Sequence, residues 1–220
     1  MTTDPIREYL TTAKQAALQT AAGAEALQRA VHQRWSVKTG ADTGAANLIT
    51  QVPVAGTIAG MVALAVPAVL PPDSRTPGAE ETVWEIDATL TGYKHESDGD
   101  YHLVIADGQG NTMIAEIPDP AALAPGSFFA EQITAARQAF DNQFGRQLTA
   151  ATQPAATPQF AAAAVAPALI PASESVTVRG LGFFDFAHGQ DGVAPNAIEL
   201  HPVISIEFHG PATAAPLPQA

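Results

Sequence analysis

The chain has 220 residues, of which 46% are hydrophobic and 15% charged, so wholesale disorder is excluded and one principal domain with a buried core is expected. It carries 10 Lys and Arg residues against 22 Asp and Glu residues, and this net charge of -12 disfavours tight binding to nucleic-acid phosphates. The absence of cysteine excludes disulfides, thiolate nucleophiles and zinc–thiolate sites.

Residues 1–42 carry the pattern of an N-terminal amphipathic helix. Asp4 is a suitable N-cap with Pro5 at the first helical position, and apolar residues then recur at steps of three and four as far as Trp35. Most of these apolar residues are alanine, so the stripe buries little area. We therefore expect the helix to dock on its own domain or on a partner, which includes a second copy of the chain in a homo-oligomer.

Residues 43–79 comprise an uncharged apolar segment, 43–72, and a turn-rich linker. Pro53 and Pro67 leave about 13 uninterrupted apolar residues, whereas a membrane helix needs about 20. We therefore expect this segment, with Ile58, Met61 and Val66, to be buried in the protein and not to enter a membrane. No signal peptide is evident at the N-terminus, which favours a cytoplasmic location.

Residues 80–210 change to the alternating pattern of half-buried strands. The pattern predicts strands at 84–90, 101–105 and 112–117, a helix at 127–145, and strands at 176–184 and 198–208. An Ala/Pro-rich linker is expected at 149–172 and a flexible tail at 211–220. The order β-β-β-α-β-β is typical of an OB-like five-stranded barrel within a mainly β protein, and an open α+β sheet is the alternative.

Several sequence blocks in this region carry a resemblance to a group of uncharacterised bacterial proteins. The blocks are RWSVKTG at 34–40, GDYHLVI at 99–105, NTMIAEIP at 111–118, GFFD at 182–185 with HGQ at 188–190, and APNAIELHPV at 194–203. The resemblance covers most of residues 80–208 and implies no activity. The group usually has Gly where this chain has Ala197, so the turn into the last strand is expected to differ.

A second resemblance is to staphylococcal-nuclease-type domains, which are also OB barrels. The Asp-Gly-Asp run at 98–100 opens a strand as it does in those domains, and Asp119 lies near the position of their second metal-binding aspartate. The resemblance therefore implies Asp100 and Asp119 as Ca²⁺ ligands. The general-base glutamate falls on Ala122 and the phosphate-binding arginine on Ile114, so the nuclease-type site is incomplete.

Two groups of residues are candidates for a functional site. Asp100 and His102 project to one side of their strand, as Glu199 and His201 do on theirs, and together with His188 they could bind Zn²⁺ or another divalent metal. A histidine in such a place can instead close a loop by a hydrogen bond. The polar loop before the last strand contains the candidate ligand-binding residues Phe184, Asp185, His188, Gln190 and Asn196.

Known catalytic motifs are missing from the sequence. There is no Gly-x-Ser-x-Gly element, phosphate-binding Gly-x-x-x-x-Gly-Lys loop or dinucleotide fingerprint. We therefore expect a non-catalytic OB-like binding or interaction domain for a protein or small-molecule ligand, without strong nucleic-acid binding. The alternative is a divalent-metal-dependent, phosphodiesterase-like hydrolase with an incomplete nuclease-type site.

Overall fold

The computed structural model describes residues 34–152, 168–186 and 189–212. Most of the predicted N-terminal helix therefore lies outside the described residues, as do His188 and the end of the predicted tail. Residues 34–42 of that predicted segment are described, including the last apolar residue of the stripe, Trp35. Arg34 has a φ of 60° and is not helical, and a short helix starts at the next residue.

The described residues form six strands, three α-helices and three short 3-10 helices. The strands are β1 Val54–Gly56, β2 Val83–His95, β3 Tyr101–Ala106, β4 Thr112–Ile117, β5 Ile170–Phe184 and β6 Ile198–Pro211. The α-helices are α1 Trp35–Lys38, α2 Ile58–Val62 and α3 Ala130–Thr152. The 3-10 helices are Ala45–Asn47, Ala79–Glu81 and Pro120–Ala122.

The six strands form one mixed sheet with the order β1-β2-β3-β4-β6-β5, and β2 also pairs with β5. Strands β2, β3 and β4 are consecutive and antiparallel, β6 runs parallel to β4, and β5 is antiparallel to both β6 and β2. The pairings from β2 through β5 therefore return to β2. Strand β1 lies outside this ring as a parallel neighbour of β2. The mainly β class is confirmed.

Several element boundaries differ from the predictions. Helix α3 continues through Gly145 to its end at Thr152, because the buried Leu148 extends the apolar stripe of Phe140 and Phe144 by one more turn. Strand β5 begins at 170, so both ends of the predicted 149–172 linker belong to regular elements. Strand β6 ends at 211, the first residue of the predicted tail.

Helix α3 covers the ring of strands with aromatic side chains. Phe140 is fully buried, and its ring centroid lies 5.1 Å from that of Tyr101 and 5.3 Å from that of Tyr93. Phe144 lies 4.6 Å from Tyr93 and 5.6 Å from Phe208 on β6. Aromatic pairs at such distances add to the burial of their area, so this cluster fixes α3 on β2, β3 and β6.

The uncharged segment 43–72 is buried only in part. Ile58 and Met61 of α2 are each 1% exposed, as predicted. The expectation was wrong for Val66, which is 60% exposed. The difference arises because the short helix α2 turns one face to the core, whereas the chain after it lies on the surface. No helix among the described residues is both long and apolar enough to cross a membrane.

Ala197, just before β6, has a φ of 55°, in the left-handed region that favours glycine. Backbone hydrogen bonds fix this turn, because Ala197 donates to the carbonyl of Ala194 at 2.9 Å and accepts from the N–H of Asp185 at 3.0 Å. Alanine therefore adopts here a backbone conformation that favours glycine.

Replacing Ala197 with Gly is expected to raise the free energy of unfolding by about 0.5–1 kcal/mol. The left-handed conformation costs a residue with a Cβ about 1–2 kcal/mol, and the greater freedom of glycine in the unfolded chain offsets part of that gain. Urea denaturation of both proteins measures the change. The control, Ala135→Gly on the exposed side of α3, should lower stability by about 0.5–1 kcal/mol. Equal losses in the two variants would contradict the prediction.

Candidate functional site

A cluster of ionisable side chains is buried on one face of β3, β4 and β6. Core residues alternate with them along each strand, so the ionisable side chains point away from the hydrophobic core. None is more than 6% exposed. The strand residues of this polar cluster are His102, Glu116, Glu199 and His201, and Asp100 precedes β3.

Strand pairing brings the members of the polar cluster together. The antiparallel register of β3 and β4 places His102 opposite Glu116. Strand β6 runs parallel to β4, with Glu199 opposite Ile114, so His201 lies further along β6 in the direction of Glu116. Residues up to 101 positions apart in the chain therefore share one small volume.

The carboxylate of Glu116 lies between two imidazole rings. Its Oε1 is 3.0 Å from Nδ1 of His102, and its Oε2 is 3.1 Å from Nδ1 of His201. Glu199 Oε1 is also 3.1 Å from Nδ1 of His201. Because carboxylates accept, Nδ1 of His201 must carry a proton and donate it to this pair of acceptors.

His102 is held as an imidazolium. Its Nδ1 faces Glu116 and its Nε2 lies 2.9 Å from the main-chain oxygen of Asp191, so both ring nitrogens face acceptors and both carry protons. Burial would lower the pKa of His102, but the hydrogen bond and the charge of Glu116 raise it above its ordinary value. His102 therefore ties the loop before β6 to β3, the alternative role considered for a strand histidine.

Lys38, at the end of α1, supplies an ammonium to the polar cluster. Its Nζ lies 3.2 Å from Oδ2 of Asp185, and 5.3 Å from the centre of the Phe183 ring. Burial would lower the pKa of Lys38, but the carboxylates of Glu199, Asp185 and Glu116 raise it instead. The amine is therefore charged at neutral pH.

Burial perturbs the other groups of the polar cluster strongly. It raises the pKa of Asp100 to about 7 despite the opposing effect of His201. Burial together with the charge of Glu116 raises the pKa of Glu199 to about 7. For His201, burial would lower the pKa, but hydrogen bonds to Glu116 and Glu199 raise it to about 10. Asp100 and Glu199 therefore titrate near neutral pH, whereas His201 stays protonated there.

Two buried atoms of the polar cluster have no hydrogen-bond partner. They are Oδ2 of Asp100 and Nε2 of His201, which face each other at 3.7 Å. Asp100 is 1% exposed and His201 0%. The other oxygen of Asp100 accepts a hydrogen bond from the N–H of Asp119 at 2.9 Å, so the aspartate is held in place.

The predicted metal-ligating residues divide between two groups. Asp100 and His201 join Glu116, with one potential ligand atom from each lying within 4.8 Å of the others, whereas His102 joins Glu96 and Glu116. Glu199 belongs to neither group and serves as a hydrogen-bond partner of His201. Asp119, which the nuclease resemblance implied, also lies outside the groups found among the described residues, and its carboxylate accepts from the N–H of Ala121.

The predicted ligand-binding residues are mostly buried, and their role in binding stays a prediction. Phe184 is 3% exposed, and Asp185 pairs with Lys38. Asn196 donates from Nδ2 to the main-chain oxygens of Met61 and Leu64, so it joins the loop before β6 to α2. Gln190 is half-buried, and His188 lies outside the described residues.

A buried ion pair beside the polar cluster positions α1. Arg34 donates from both terminal nitrogens to the two oxygens of Glu80, each at 2.7 Å. Its guanidinium also lies 4.7 Å from the centre of the Phe183 ring, and that ring is 5.7 Å from His201. Arg75 pairs in a similar way with Asp42 at 2.9 Å. These contacts hold the chain on both sides of Lys38.

Sequence reasoning missed Glu116, Lys38 and the Arg34–Glu80 pair. A signal for Glu116 existed, because it is the one charged residue in the apolar strand β4. Lys38 and Arg34 were visible only as parts of the RWSVKTG block. Glu80 lies in a turn-rich stretch with no pattern of its own, so its burial could not be foreseen.

No protein-family model matches the chain, and no curated protein is similar to it at a significant level. Among solved structures, the chain is similar to one described as an aspartyl-tRNA synthetase from Leishmania major Friedlin, with 12% sequence identity and a TM-score of 0.37. The match covers 76% of this chain but only 23% of the synthetase chain.

Proposed function

We propose that the protein is a non-catalytic binding or interaction domain built on an OB-like barrel of strands β2 to β6. Two observations support the OB-like arrangement. The pairings return from β5 to β2, and α3 lies between the third and fourth strands of this ring. That order of elements is typical of OB barrels. Because one fold serves many functions, the binding surface has to be argued from its own residues.

The observation that carries the proposal is an exposed apolar segment. Of the seven exposed large hydrophobic side chains among the described residues, five lie between positions 49 and 69. This part of the chain has no charged residue. Exposed apolar surface concentrated in this way is typical of a protein-binding site. The five side chains are Ile49, Val52, Val54, Val66 and Val69.

The neighbourhood of β1 suits an extended apolar segment of a protein partner. Strand β1 pairs only with β2 among the described strands, so its other edge is available for backbone hydrogen bonds. An open, largely apolar cavity of about 370 Å³ lies beside it, with Met61, Leu64 and Trp84 in its wall. A strand edge next to an apolar cavity can bind a backbone and its alternate side chains together. A small apolar ligand in the cavity is the other outcome that the experiment below distinguishes.

The polar cluster favours binding over hydrolysis. Asp100, His102, Glu199 and His201 are each at most 2% exposed, so a polymeric substrate cannot contact them in this conformation. A general acid or base must come within hydrogen-bond reach of the reacting group. The hydrolase alternative therefore requires an opening of the loop before β6, which contacts His102.

The protein is expected not to bind single-stranded nucleic acid tightly at physiological salt. Arg179, a cation on the outer face of β5, already pairs with Glu85 and Glu207, and Asp87 lies on the same surface. An acidic surface cannot release counterions from phosphates. Fluorescence anisotropy with labelled oligonucleotides measures this directly, and submicromolar affinity that weakens with salt would contradict it.

The experiment for the proposed function compares two double variants of the full chain. Val52→Lys/Val69→Lys places charges on the exposed apolar segment, and Gln138→Lys/Gln143→Lys adds the same charge on the exposed side of α3. Cross-linking in cells of the source organism, followed by mass spectrometry, identifies partners of the wild type. Calorimetric titration with the purified partner then gives affinities for the three proteins.

We expect the partner to bind the Val52→Lys/Val69→Lys variant at least about tenfold more weakly, a difference of about 1.4 kcal/mol, and the control variant with unchanged affinity. Equal affinities would overturn the proposed surface. Binding of a small apolar molecule, with no protein partner found, would show that the ligand is a small molecule and not a protein. Turnover of phosphodiester or ester substrates that is lost in His201→Ala would overturn the non-catalytic assignment.

A further inference from the structure

Two buried atoms of the polar cluster have no hydrogen-bond partner among the described residues. Oδ2 of Asp100 and Nε2 of His201 are buried and 3.7 Å apart, beyond hydrogen-bond distance. Buried polar atoms in folded proteins are nearly always paired, so two such atoms that face each other require an explanation. An ion or a water molecule between them would provide one.

The separation of the two atoms fits a metal ion better than a direct contact. Two ligand atoms about 2.1 Å from one tetrahedral ion lie about 3.4 Å apart, close to the distance observed here. A third donor is at hand, because one oxygen of Glu116 belongs to the same group, with all three ligand atoms within 4.8 Å. The donor set is therefore one imidazole nitrogen and two carboxylate oxygens.

The surroundings of His201 are those of a metal-ligating histidine. Its Nδ1 donates to Glu199, which leaves Nε2 as the nitrogen with a free lone pair when the ring is neutral. Histidines that bind metals usually donate their other N–H to a carboxylate, which fixes the ring orientation. In contrast, both nitrogens of His102 face acceptors, so His102 is excluded as a ligand in this conformation.

The charge of the polar cluster can balance around a divalent cation. Four carboxylates, Asp100, Glu116, Glu199 and Asp185, face three cations, which are the ammonium of Lys38 and the imidazolium rings of His102 and His201. A divalent ion that replaces one proton of His201 brings the positive charges to four in a volume from which water is excluded.

We propose that Asp100, Glu116 and His201 bind one divalent cation of the Zn²⁺ type, which joins β3, β4 and β6. A mixed set of imidazole and carboxylate donors suits Zn²⁺ better than Ca²⁺, which prefers oxygen ligands alone. The ion replaces the proton on Nε2 of His201, and this proton is released to solvent. The site is closed, so the ion has a structural role, and the proposal does not depend on the binding function proposed above.

The experiment uses the full chain after removal of metals with EDTA. Separate samples are incubated with Zn²⁺, Mn²⁺ or Ca²⁺ alone, unbound ions are removed by gel filtration, and bound metal is measured by mass spectrometry. We expect one Zn²⁺ per chain and a higher melting temperature that EDTA reverses. In a wild-type sample, the ¹⁵N resonance of His201 Nε2 should shift on addition of Zn²⁺, while Nδ1 keeps its proton.

Single variants measure what each side chain contributes to Zn²⁺ binding. Zn²⁺ binding should be lost in His201→Gln and in Asp100→Asn, which keeps an oxygen to accept from the N–H of Asp119. In Glu199→Gln, which changes only a hydrogen-bond partner of His201, the affinity should fall about 10–100-fold. His209→Gln, an exposed histidine on the same strand, and Asp119→Asn are controls with unchanged binding.

The measurements decide against the proposal in three ways. Substoichiometric binding of all three ions to the wild type would leave a bridging water as the explanation of the unpartnered atoms. Ca²⁺ binding that depends on Asp119 would indicate a nuclease-type site instead. Loss of binding in His209→Gln alone would place the ion elsewhere. Because the wild-type stoichiometry and the histidine resonance need no variant, misfolding of a variant does not affect these conclusions.

Discussion

Replacing Glu80 with alanine is expected to lower the free energy of unfolding by about 3–5 kcal/mol, because the substitution leaves the buried guanidinium of Arg34 without its counterion. Glu80 is 0% exposed and Arg34 3%. The carboxylate accepts four hydrogen bonds. Two come from Arg34, and two come from the N–H groups of Thr76 at 2.6 Å and Phe184 at 2.8 Å.

Arg34 would also lose its position. Its five N–H groups are all used, because besides Glu80 it donates to the main-chain oxygens of Pro71, Ser74 and Phe184. The pair therefore connects the start of α1, the stretch before β2 and the end of β5. Since 104 positions separate Glu80 from Phe184 and 46 separate it from Arg34, the chain must be ordered over long distances before this contact forms.

Urea denaturation at neutral pH measures the effect of Glu80→Ala. The control is Glu85→Ala, which removes a carboxylate from a half-exposed pair with Arg179 and should cost about 0–1 kcal/mol. Similar losses of stability in the two variants would contradict the prediction that loss of Glu80 from the buried pair costs more than loss of Glu85 from the half-exposed pair.

The pH dependence gives a second test of the Glu80 pair. Burial would raise the pKa of Glu80, but the hydrogen bonds from Arg34, Phe184 and Thr76 lower it below its ordinary value. A carboxylate with a lowered pKa in the folded state adds stability above the unfolded pKa of about 4.3, and that contribution is lost as the pH falls through the folded value. The stability difference between wild type and Glu80→Ala should therefore shrink in acid.

The fold could be predicted where the signal is local. Alternation of apolar and polar residues located β2, because a partly exposed strand shows that period by itself. Strands β3 and β4 are buried on both faces, and the turns and prolines that flank them helped to delimit them. The first residues of β5 were missed because Pro171 and small polar residues do not resemble a buried strand. They pair with β2 beyond an irregularity between Leu90 and Gly92, and that pairing with a distant strand replaces the missing local signal.

The polar cluster shows the same division between local and distant information. Asp100, His102, Glu199 and His201 could be identified from the sequence because polar residues stand out in apolar strands. Their grouping depends on the β4–β6 pairing, which lies between residues about 85 positions apart. Glu116, which β3–β4 pairing places opposite His102, comes close to His201 only through that register.

Lys38 is a further member that only the three-dimensional structure identifies, and its replacement by methionine is expected to lower the free energy of unfolding by about 3–5 kcal/mol. Methionine keeps an apolar stem of similar length over the ring of Phe183, so mainly the charge is lost. The carboxylate of Asp185, 3.2 Å from Nζ, then remains buried without its ammonium partner, and Glu199 loses a neighbouring positive charge.

A second lysine with almost the same exposure, Lys94, tests whether the loss of stability depends on burial of the carboxylate partner and not on burial of the lysine itself. The side chain of Lys38 is 11% exposed and that of Lys94 12%, but Asp185 is 7% exposed, whereas Glu96, the partner of Lys94, is 30% exposed. Water can solvate Glu96 once its partner is gone, so Lys94→Met should cost about 0–1 kcal/mol. Both variants are compared with the wild type by urea denaturation in EDTA, so that a bound cation does not contribute.

A double variant tests the coupling between Lys38 and Asp185. Because Asp185→Asn removes the carboxylate charge that Lys38→Met leaves uncompensated, the double variant should be about 0.5–3 kcal/mol more stable than the sum of the single losses predicts. Strict additivity, or equal losses for the two lysines, would mean that the Lys38 ammonium does not stabilise the polar cluster through Asp185.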